Sequence, residues 1–315
     1  MKKHHSTAII AAMAVFSIAL TGCRELPGKE AADNQMEQTI SGSFKQEAAE
    51  AVKQSLSDAS AAVGDAIQNT AGMIKEQMNT NGISREFSTS LPIASASVLK
   101  LDNAVGEVAV VPASGDEITV QATVIVHEQT GHKLVSGVLD HTEISIEHKG
   151  DALIVSAHGE GNSKRDLWEW AQHEYGDSNF SINYVIGIPE TVDRFEIDNN
   201  VGTVQLRGLE GTFEINSNVG SIILQDTIFT GKSSVESNTG SIELGVSGMT
   251  KGSSLKAKSD IGRISADLSA STACTVKARS ELGHISGADN GTPKDYNGGG
   301  PLVSLTTQIG AISVN

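Results

Sequence analysis

The sequence is poor in aromatic residues, proline, cysteine and positive charge. Aromatic residues make up 4% of the 315 positions, so there are few large anchors for an aromatic-lined small-molecule pocket. Two cysteines exclude a disulfide-rich scaffold. Lys and Arg number 23 against 38 Asp and Glu, a formal net charge of −15, which argues against nucleic acid as a partner. With 32 Gly and 6 Pro, the composition favours short strands joined by tight turns.

The N-terminus has the pattern of a secretion leader that ends at a cysteine. After a positively charged start, the apolar run of residues 7–20 is shorter than the about 20 residues of a membrane span. The run ends in Leu20-Thr21-Gly22-Cys23, which resembles the bacterial lipobox. The resemblance implies that residues 1–22 are a lipoprotein signal peptide and that acyl chains such as palmitate hold Cys23 in the cell membrane, facing the extracytoplasmic side. An uncleaved anchor with an incidental cysteine is the alternative.

The other cysteine, Cys274, lies between apolar residues and threonine. With Cys23 lipidated, it has no disulfide partner in its own chain. We expect it to pack as a small apolar residue and to have no catalytic role.

Residues 23–82 are predicted to form the lipid anchor and a helical stalk. Apolar residues recur at every third or fourth position from Met36 to Met78, with a mean step of 3.8 residues, which is typical of a long amphipathic helix. The step exceeds the about 3.5 residues of a heptad, so a leucine zipper is not indicated. Three roles stay open: a spacer, a helix that self-associates or binds a partner, and an unfolded linker.

The second half of the chain repeats a pattern centred on glycine. Alternating apolar and polar residues precede the glycine, and the alternation shifts by one residue after it, which is typical of a strand, a corner and another strand. From Gly202 to Gly310 the spacing averages about 22 residues, a period typical of solenoids. We therefore predict a mainly β fold in which residues 191–315 form a parallel β-solenoid, β-helix-like, with one coil per copy; an antiparallel sandwich is the alternative. The corner glycines are Gly106, in a copy that stands apart upstream, and Gly202, Gly220, Gly240, Gly262, Gly283 and Gly310.

Residues 83–190 are predicted to form a less regular β region of the same head. Its strand candidates are residues 117–126, 143–147, 152–157 and 180–188. The insertion 159–179 holds Trp168, Trp170 and Tyr175, three of few aromatic residues, in a polar setting. They form either a contact loop for protein or sugar, or a cap over the open end of the solenoid.

Three features together resemble a known family. They are the copy around Gly106, the strand Val185-Ile186-Gly187-Ile188-Pro189, and the glycine-centred copies that follow. The chain resembles, over about residues 95–315, the bacterial "putative adhesin" or toastrack β-strand-repeat family, a domain of unknown function. The resemblance implies a cell-envelope β-solenoid tied to surface contact or to envelope-stress systems. It implies no cofactor and no enzymatic residues.

The outward positions of the repeat change from acidic to basic along the chain. Six residues before each glycine, the sequence runs from Glu196 to Lys256 and Lys277. With coils stacked in sequence order, Lys256 would lie over Lys277, and Lys258 over Arg279. Such crowding of like charge favours an anion-binding site, with a solvated face as the alternative. The candidate residues are Lys256, Lys258, Arg263, Lys277, Arg279 and His284.

No pattern identifies a metal or catalytic site. The segment from His127 to His132 comes near to the HExxH zinc motif, but its second histidine is one position too far and the segment has a strand-and-turn pattern. Residues 100–190 hold 15 acids and 5 Lys and Arg, with six of the nine histidines. A cation site or a pH response stays open beside a solvated acidic face.

We therefore expect a lipid-anchored cell-envelope protein that acts as a non-enzymatic, adhesin-like binding or scaffolding module. The expected partners are the membrane, through the lipid, and an anionic wall polymer, lipid headgroups or an acidic protein. Self-association is expected through the stalk or through the C-terminal end, where the last copy ends without a polar cap. A component of an envelope-stress system that binds a membrane partner is the first alternative, and a polysaccharide-active enzyme such as a lyase is the second.

Overall fold

The computed structural model describes residues 82–127 and 132–315, with only the backbone given for His132 and Lys133. The predicted leader, Cys23 and the helical stalk lie outside the described residues. The described part is mainly β, and no helix in it is long and apolar enough to cross a membrane.

Twenty strands and two helices make up the described residues. The four strand candidates of the less regular region, residues 117–126, 143–147, 152–157 and 180–188, are all confirmed as strands. The strands are β1 (Ile83–Pro92), β2 (Val98–Val105), β3 (Val108–Ala113), β4 (Glu117–Val126), β5 (Thr142–Lys149), β6 (Ala152–Gly159), β7 (Phe180–Pro189), β8 (Arg194–Val201), β9 (Val204–Arg207), β10 (Glu210–Val219), β11 (Ile222–Phe229), β12 (Lys232–Thr239), β13 (Ile242–Met249), β14 (Ser254–Ile261), β15 (Ile264–Leu268), β16 (Cys274–Leu282), β17 (Ile285–Ser286), β18 (Lys294–Tyr296), β19 (Leu302–Ile309) and β20 (Ile312–Val314). The helices are α1 (His132–His141) and α2 (Leu167–Tyr175).

The strands form two ladders, and each glycine-centred copy contributes one strand to each ladder. The copies pair in parallel and in register, which confirms a solenoid-like fold and shows that the antiparallel sandwich was wrong for them. Antiparallel pairs occur at both ends of the stack. At the end of the first coil, β1, β4 and β7 extend one ladder and β5 and β6 the other, and at the opposite end β18 pairs antiparallel with β16. In spatial order, the front ladder is β5, β6, β2, β8, β10, β12, β14, β19, β16 and β18, and the back ladder is β1, β4, β7, β3, β9, β11, β13, β15, β20 and β17.

The inward side chains of all these coils pack into one core. Phe195 stacks on Phe213 with ring centroids 5.1 Å apart, one coil on the next. Cys274 is fully buried in the same core, and burial raises the pKa of its thiol, as expected for a residue that packs as an apolar one. The upstream copy around Gly106 stacks directly on the coil of Gly202, so it belongs to the same stack.

The last two coils do not stack in the order of the sequence. Strand β19 of the final copy pairs with β14 on one side and with β16 on the other, and β20 likewise lies between β15 and β17. The segment after β17 adds β18 antiparallel to the outer edge of β16, and the chain then returns to the gap between β14 and β16. The final copy is therefore an inner coil, and the copy of Gly283 is the end coil.

This order corrects the predicted stacking of like charges. Ser304 lies between Lys256 and Lys277 in the register, and Thr306 lies between Lys258 and Arg279. An uncharged rung thus separates cations that would otherwise face each other at about 4.8 Å.

The same order corrects the predicted open end at the C-terminus. Strand β20 has a partner on both sides, so the last apolar strand of the chain is not an unpaired edge. The end coil is instead formed by β16 and β17, with β18 covering the outer edge of β16. Self-association remains a prediction.

The corner glycines stand in one column along the stack. Gly220 has a φ of +138°, and a Cβ built on it would overlap the carbonyl oxygen of Gly202 in the neighbouring coil. The other glycines of the repeat meet the adjacent coil in the same way, because each coil places its corner directly against the next. Just inside this corner, the hydroxyl of Ser259 donates to the Gly240 carbonyl at 3.1 Å, so small polar side chains bond to the neighbouring corner.

Candidate functional site: a cleft on the front ladder

The outer face of the front ladder carries a cleft of about 470 Å³ near β5 and β6. Outward side chains of β2, β6 and β8 form its floor, since side chains alternate across a strand. The loop 163–166 and the start of α2 form its rim. Asp166 fixes the rim as the cap of α2, because its Oδ1 accepts a hydrogen bond from the backbone N–H of Glu169 at 2.8 Å.

Two carboxylates lie side by side in the floor. Asp102 on β2 and Asp198 on β8 are paired directly in the parallel register. Burial raises the pKa of the Asp102 carboxyl, and the charge of Asp198 raises it further, whereas Lys100 opposes the shift. Asn216 donates from Nδ2 to Asp198 Oδ1 at 2.8 Å. The pair therefore favours a ligand that donates hydrogen bonds to it.

The next acidic pair on this face is balanced by the protein itself. Glu196 and Glu214 are also direct neighbours in the register. Arg194 lies 2.9 Å from Glu196 and 3.9 Å from Glu214, and Lys100 forms an ion pair with Glu196. Across residues 82–127 and 132–315, no such ion pair reaches the two aspartates of the cleft, so no cation of the protein contacts them directly.

A column of amides runs along the same face and ends at the cleft. Asn238 donates from Nδ2 to Asn218 Oδ1 at 2.9 Å, and Asn218 donates in turn to Asn200 Oδ1 at 2.7 Å. Each amide donates toward β2, where the column ends at Ala104. The Nδ2 of Asn200 has no acceptor in the described part of the chain, and Asn200 and Ala104 both line the cleft.

A polar chain on β5 and β6 shapes the side wall. His158, 4% exposed, has Nδ1 3.2 Å from the carbonyl oxygen of Gly159 and Nε2 3.1 Å from the hydroxyl of Ser145. Because a carbonyl only accepts, Nδ1 donates to Gly159, and the hydroxyl of Ser145 is the partner of Nε2. Ser145 lies 3.0 Å from the hydroxyl of Ser156, so the chain orients Ser156 and His158 where they line the cleft.

The three aromatic residues of the insertion lie in α2 rather than in an open loop. Trp170, 8% exposed, packs over Gly159, and Tyr175 packs over Gly137. Trp168 is half-buried and stacks on Phe180 with ring centroids 5.2 Å apart and planes at 15°. Trp168 is the member of the three that lines the cleft. The packing matches the predicted cap for Trp170 and Tyr175, and a contact role for the three stays a prediction.

The predicted anion-binding residues do not form one cluster. Lys256 lies 2.7 Å from Glu236, and Lys258 lies 2.8 Å from Asp260, so two of the cations are paired within the protein. Lys277 and Arg279 are exposed on the end coil, and no ion pair reaches either one in the described residues. Arg263 and His284 are separated by Ala311, since the final copy lies between their coils.

The histidines of the acidic region are dispersed. His141 lies 3.2 Å from Glu160, and His148 lies 2.8 Å from the carbonyl oxygen of Pro92. Part of the segment between His127 and His132 lies outside the described residues. Among the residues that the structure describes, no three His, Cys, Asp or Glu side chains come together as metal ligands would.

Sequence reasoning did not identify the cleft. Asp198 and Asn200 belong to outward columns of the repeat, but the upstream copy was not placed in those columns. Aligning the upstream copy with the others places Asp102 beside Asp198. It also places Ala104 beside Asn200, at a position where the next copies have an amide. The rim residues Lys164 and Arg165 give no such signal, because only the folded insertion brings them to the floor.

Comparisons with known proteins give distant likenesses. No family model matches the chain, and no curated protein matches it. A solved "putative cell adhesion protein" from Clostridium sporogenes is 14% identical, with a TM-score of 0.41, and the match covers 74% of this chain and 99% of that one. A "putative adhesin" from Bacteroides fragilis is 16% identical, with a TM-score of 0.39 and coverage of 73% and 97%. A "putative lipid binding protein" from Parabacteroides distasonis is 12% identical, with a TM-score of 0.28 and coverage of 75% and 98%.

Proposed function

We propose that the protein is a lipid-anchored cell-envelope protein whose head binds a ligand on the extracytoplasmic side without converting it. The observation that carries the proposal is the cleft on the front ladder, a concave space lined by acidic, basic and amide side chains. Its floor consists of paired strands, which hold side chains more rigidly than loops do. The lipobox pattern ending at Cys23 supports the anchor. The membrane and a polymer of the envelope are the proposed partners.

A second candidate is an anion site on the end coil, favoured by Lys277 and Arg279. Both side chains are exposed and lie two positions apart on one face of β16. A phosphate-bearing wall polymer is the ligand that this pair would recognise, with binding that weakens as salt is added.

The anchor is tested by Cys23→Ala in the full chain. We expect the variant to leave the membrane fraction or to keep its leader, because the lipid can no longer be attached. Cell fractionation and intact-mass measurement give the result. A cleaved variant that still fractionates with membranes would show the anchor assignment to be wrong.

The binding role is tested with the detergent-solubilised full-length protein, immobilised and incubated separately with wall polymer and with membrane extract. We expect retention of the wall polymer. Retention of a protein from the membrane extract alone would favour the envelope-stress alternative. Release of shortened polymer would favour a polysaccharide-active enzyme. A Lys277→Glu/Arg279→Glu variant distinguishes the two candidate sites, because it reverses the charge of the end-coil site and leaves the cleft unchanged.

A further inference from the structure

We infer that the cleft binds a hydroxyl-rich sugar, seated on the floor between Asp102, Asp198 and Asn200. The inference rests on the proposed function, because it names the ligand class of the same cleft. Its basis is the arrangement of donors and acceptors around one concave space.

The two sides of the cleft have opposite hydrogen-bonding character. The ionised carboxylates of the floor only accept hydrogen bonds, whereas Lys164 and Arg165 of the rim only donate them. A hydroxyl group donates one hydrogen bond and accepts others, so it is complementary to both sides. Hydrogen bonds to charged partners are about twice as strong as those between neutral groups. A ligand that carries several adjacent hydroxyls meets both sides at once.

The amide column supplies a directed donor beside the carboxylates. The chain from Asn238 through Asn218 to Asn200 polarises each amide in the same sense, which strengthens the donor at its end. That end is the Nδ2 of Asn200. Ala104 occupies the next position of the column and its small side chain leaves the space open. A hydroxyl placed there accepts from Asn200 and donates to Asp102 or Asp198.

Trp168 gives the cleft an apolar surface for the ring of the sugar. Its contact with Phe180 and the hydrogen bond from Nε1 to the Phe180 carbonyl, 3.3 Å, hold the indole in place. The negative face of an aromatic ring attracts the slightly positive C–H groups of a sugar ring. A fixed aromatic side chain beside paired acceptors and an amide donor suits a pyranose better than it suits a flexible acidic polymer.

The experiment measures binding of the detergent-solubilised full-length protein to a printed array of neutral oligosaccharides. Titration of the retained sugars by tryptophan fluorescence follows. Ala104→Asn extends the amide column by one rung and fills the space. Asn200→Asp keeps the shape and the acceptor for Asn218 but removes the donor. We expect each variant to weaken binding about tenfold or more, since Ala104→Asn occupies the space of the sugar hydroxyl and Asn200→Asp leaves that hydroxyl without its donor.

Gln308→Ala is the matched control. It removes one surface hydrogen bond of the same column, from Gln308 to Asp260 at 3.0 Å, but lies far from the cleft. We expect its sugar binding to equal that of the parent. Circular dichroism of each variant shows that the fold is kept.

Two results would overturn the inference. One is an array on which the parent protein retains no sugar. The other is unchanged binding in folded Ala104→Asn and Asn200→Asp. In either case, retention of wall polymer in the separate incubation leaves the proposed function standing with a different ligand class.

Discussion

The front ladder has an acidic half around β2 and β8 and a basic half around β14 and β16. Both halves use one repeat, but they arrange like charges differently. Near β2, two aspartates are neighbours in the register and no ion pair reaches them in the described residues. Near β16, the register alternates, with Lys256, Ser304 and Lys277 on successive rungs, and Glu236 neutralises the first of them. Like charges opposite one another cost a sheet up to about 1 kcal/mol per pair.

The difference indicates that repulsion between stacked like charges is avoided in the basic half and retained in the acidic half. The basic half separates its stacked cations by an uncharged rung or pairs them, and of these cations only Lys277 and Arg279 on the end coil stay exposed without an ion pair among the described residues. The acidic half leaves Asp102 and Asp198 adjacent in the floor of a cleft. Lys100 and the hydrogen bond from Asn216 offset this repulsion in part, and a ligand that donates hydrogen bonds would offset it further, which agrees with the cleft as the binding site.

The largest expected effect tests the order of the coils. It is a disulfide that forms in one double-cysteine variant and not in another. Ser313 donates to Ser265 at 3.1 Å between neighbouring strands, so Ser265→Cys/Ser313→Cys should form a disulfide on oxidation. Ser265→Cys/Ser286→Cys should not, since Ser313 lies between them and the strands are about 10 Å apart. Non-reducing electrophoresis and peptide mapping distinguish the two. A disulfide in Ser265→Cys/Ser286→Cys alone would show that the coils stack in the order of the sequence.

The corner column predicts the next largest effect, and it applies to both halves. Gly240→Ala places a Cβ against the Gly220 carbonyl oxygen, whereas Gly252→Ala, also at positive φ, meets nothing within 4 Å. We expect a loss of about 2–4 kcal/mol at Gly240 and about 1 kcal/mol at Gly252. Urea unfolding of both variants measures the difference. Equal losses of unfolding free energy in the two variants would contradict the close contact between neighbouring coils at the corner.

The uncharged rung of the basic half predicts a smaller effect. Ser304→Lys adds a cation between Lys256 and Lys277 and should lower the free energy of unfolding by about 1 kcal/mol. Ser304→Glu should raise it by about 0.5 kcal/mol, and both changes should shrink in high salt. Ser271→Lys, in an exposed turn, is the control and should change little. Thermal unfolding at low and high salt tests this; a Ser304→Lys variant as stable as the control would contradict the register.

The smallest expected effect is a pH dependence of opposite sign in the two halves. The folded state raises the pKa of Asp102, through burial and Asp198, so it destabilises the ionised form. Asp102→Asn should therefore stabilise the protein at neutral pH, with the gain vanishing as pH falls below the ordinary value of 3.8. The hydrogen bond from Lys256 lowers the pKa of Glu236, so Glu236→Gln should destabilise at neutral pH. That loss should disappear as pH falls below the ordinary value of 4.5. Unfolding curves from pH 3 to pH 7 measure both, and slopes of the same sign would contradict the contrast.

The repeat by itself determined the strands and the corners, and it favoured parallel stacking over the antiparallel sandwich. Alternation shows which side chains of a strand are buried, and a glycine at each corner is required because a Cβ there would overlap the neighbouring coil. The predicted strand at residues 117–126 matches β4 for the same reason, since its alternation needs one buried face. These features depend on residues close together in the chain, so a sequence pattern contains them.

Only the tertiary structure decided the coil order and the cleft. Every copy presents nearly the same strand edge, so the pattern does not distinguish Ser304 from Lys277 as the neighbour of Lys256. The neighbour of Lys256 is set by the path of the chain after β17, which runs through β18 and returns to the gap between β14 and β16. The cleft likewise brings Asp102 to Asp198, far apart in sequence, and the folded insertion adds Trp168 above them. Pairing between distant segments is set by connections and packing, which local alternation does not record.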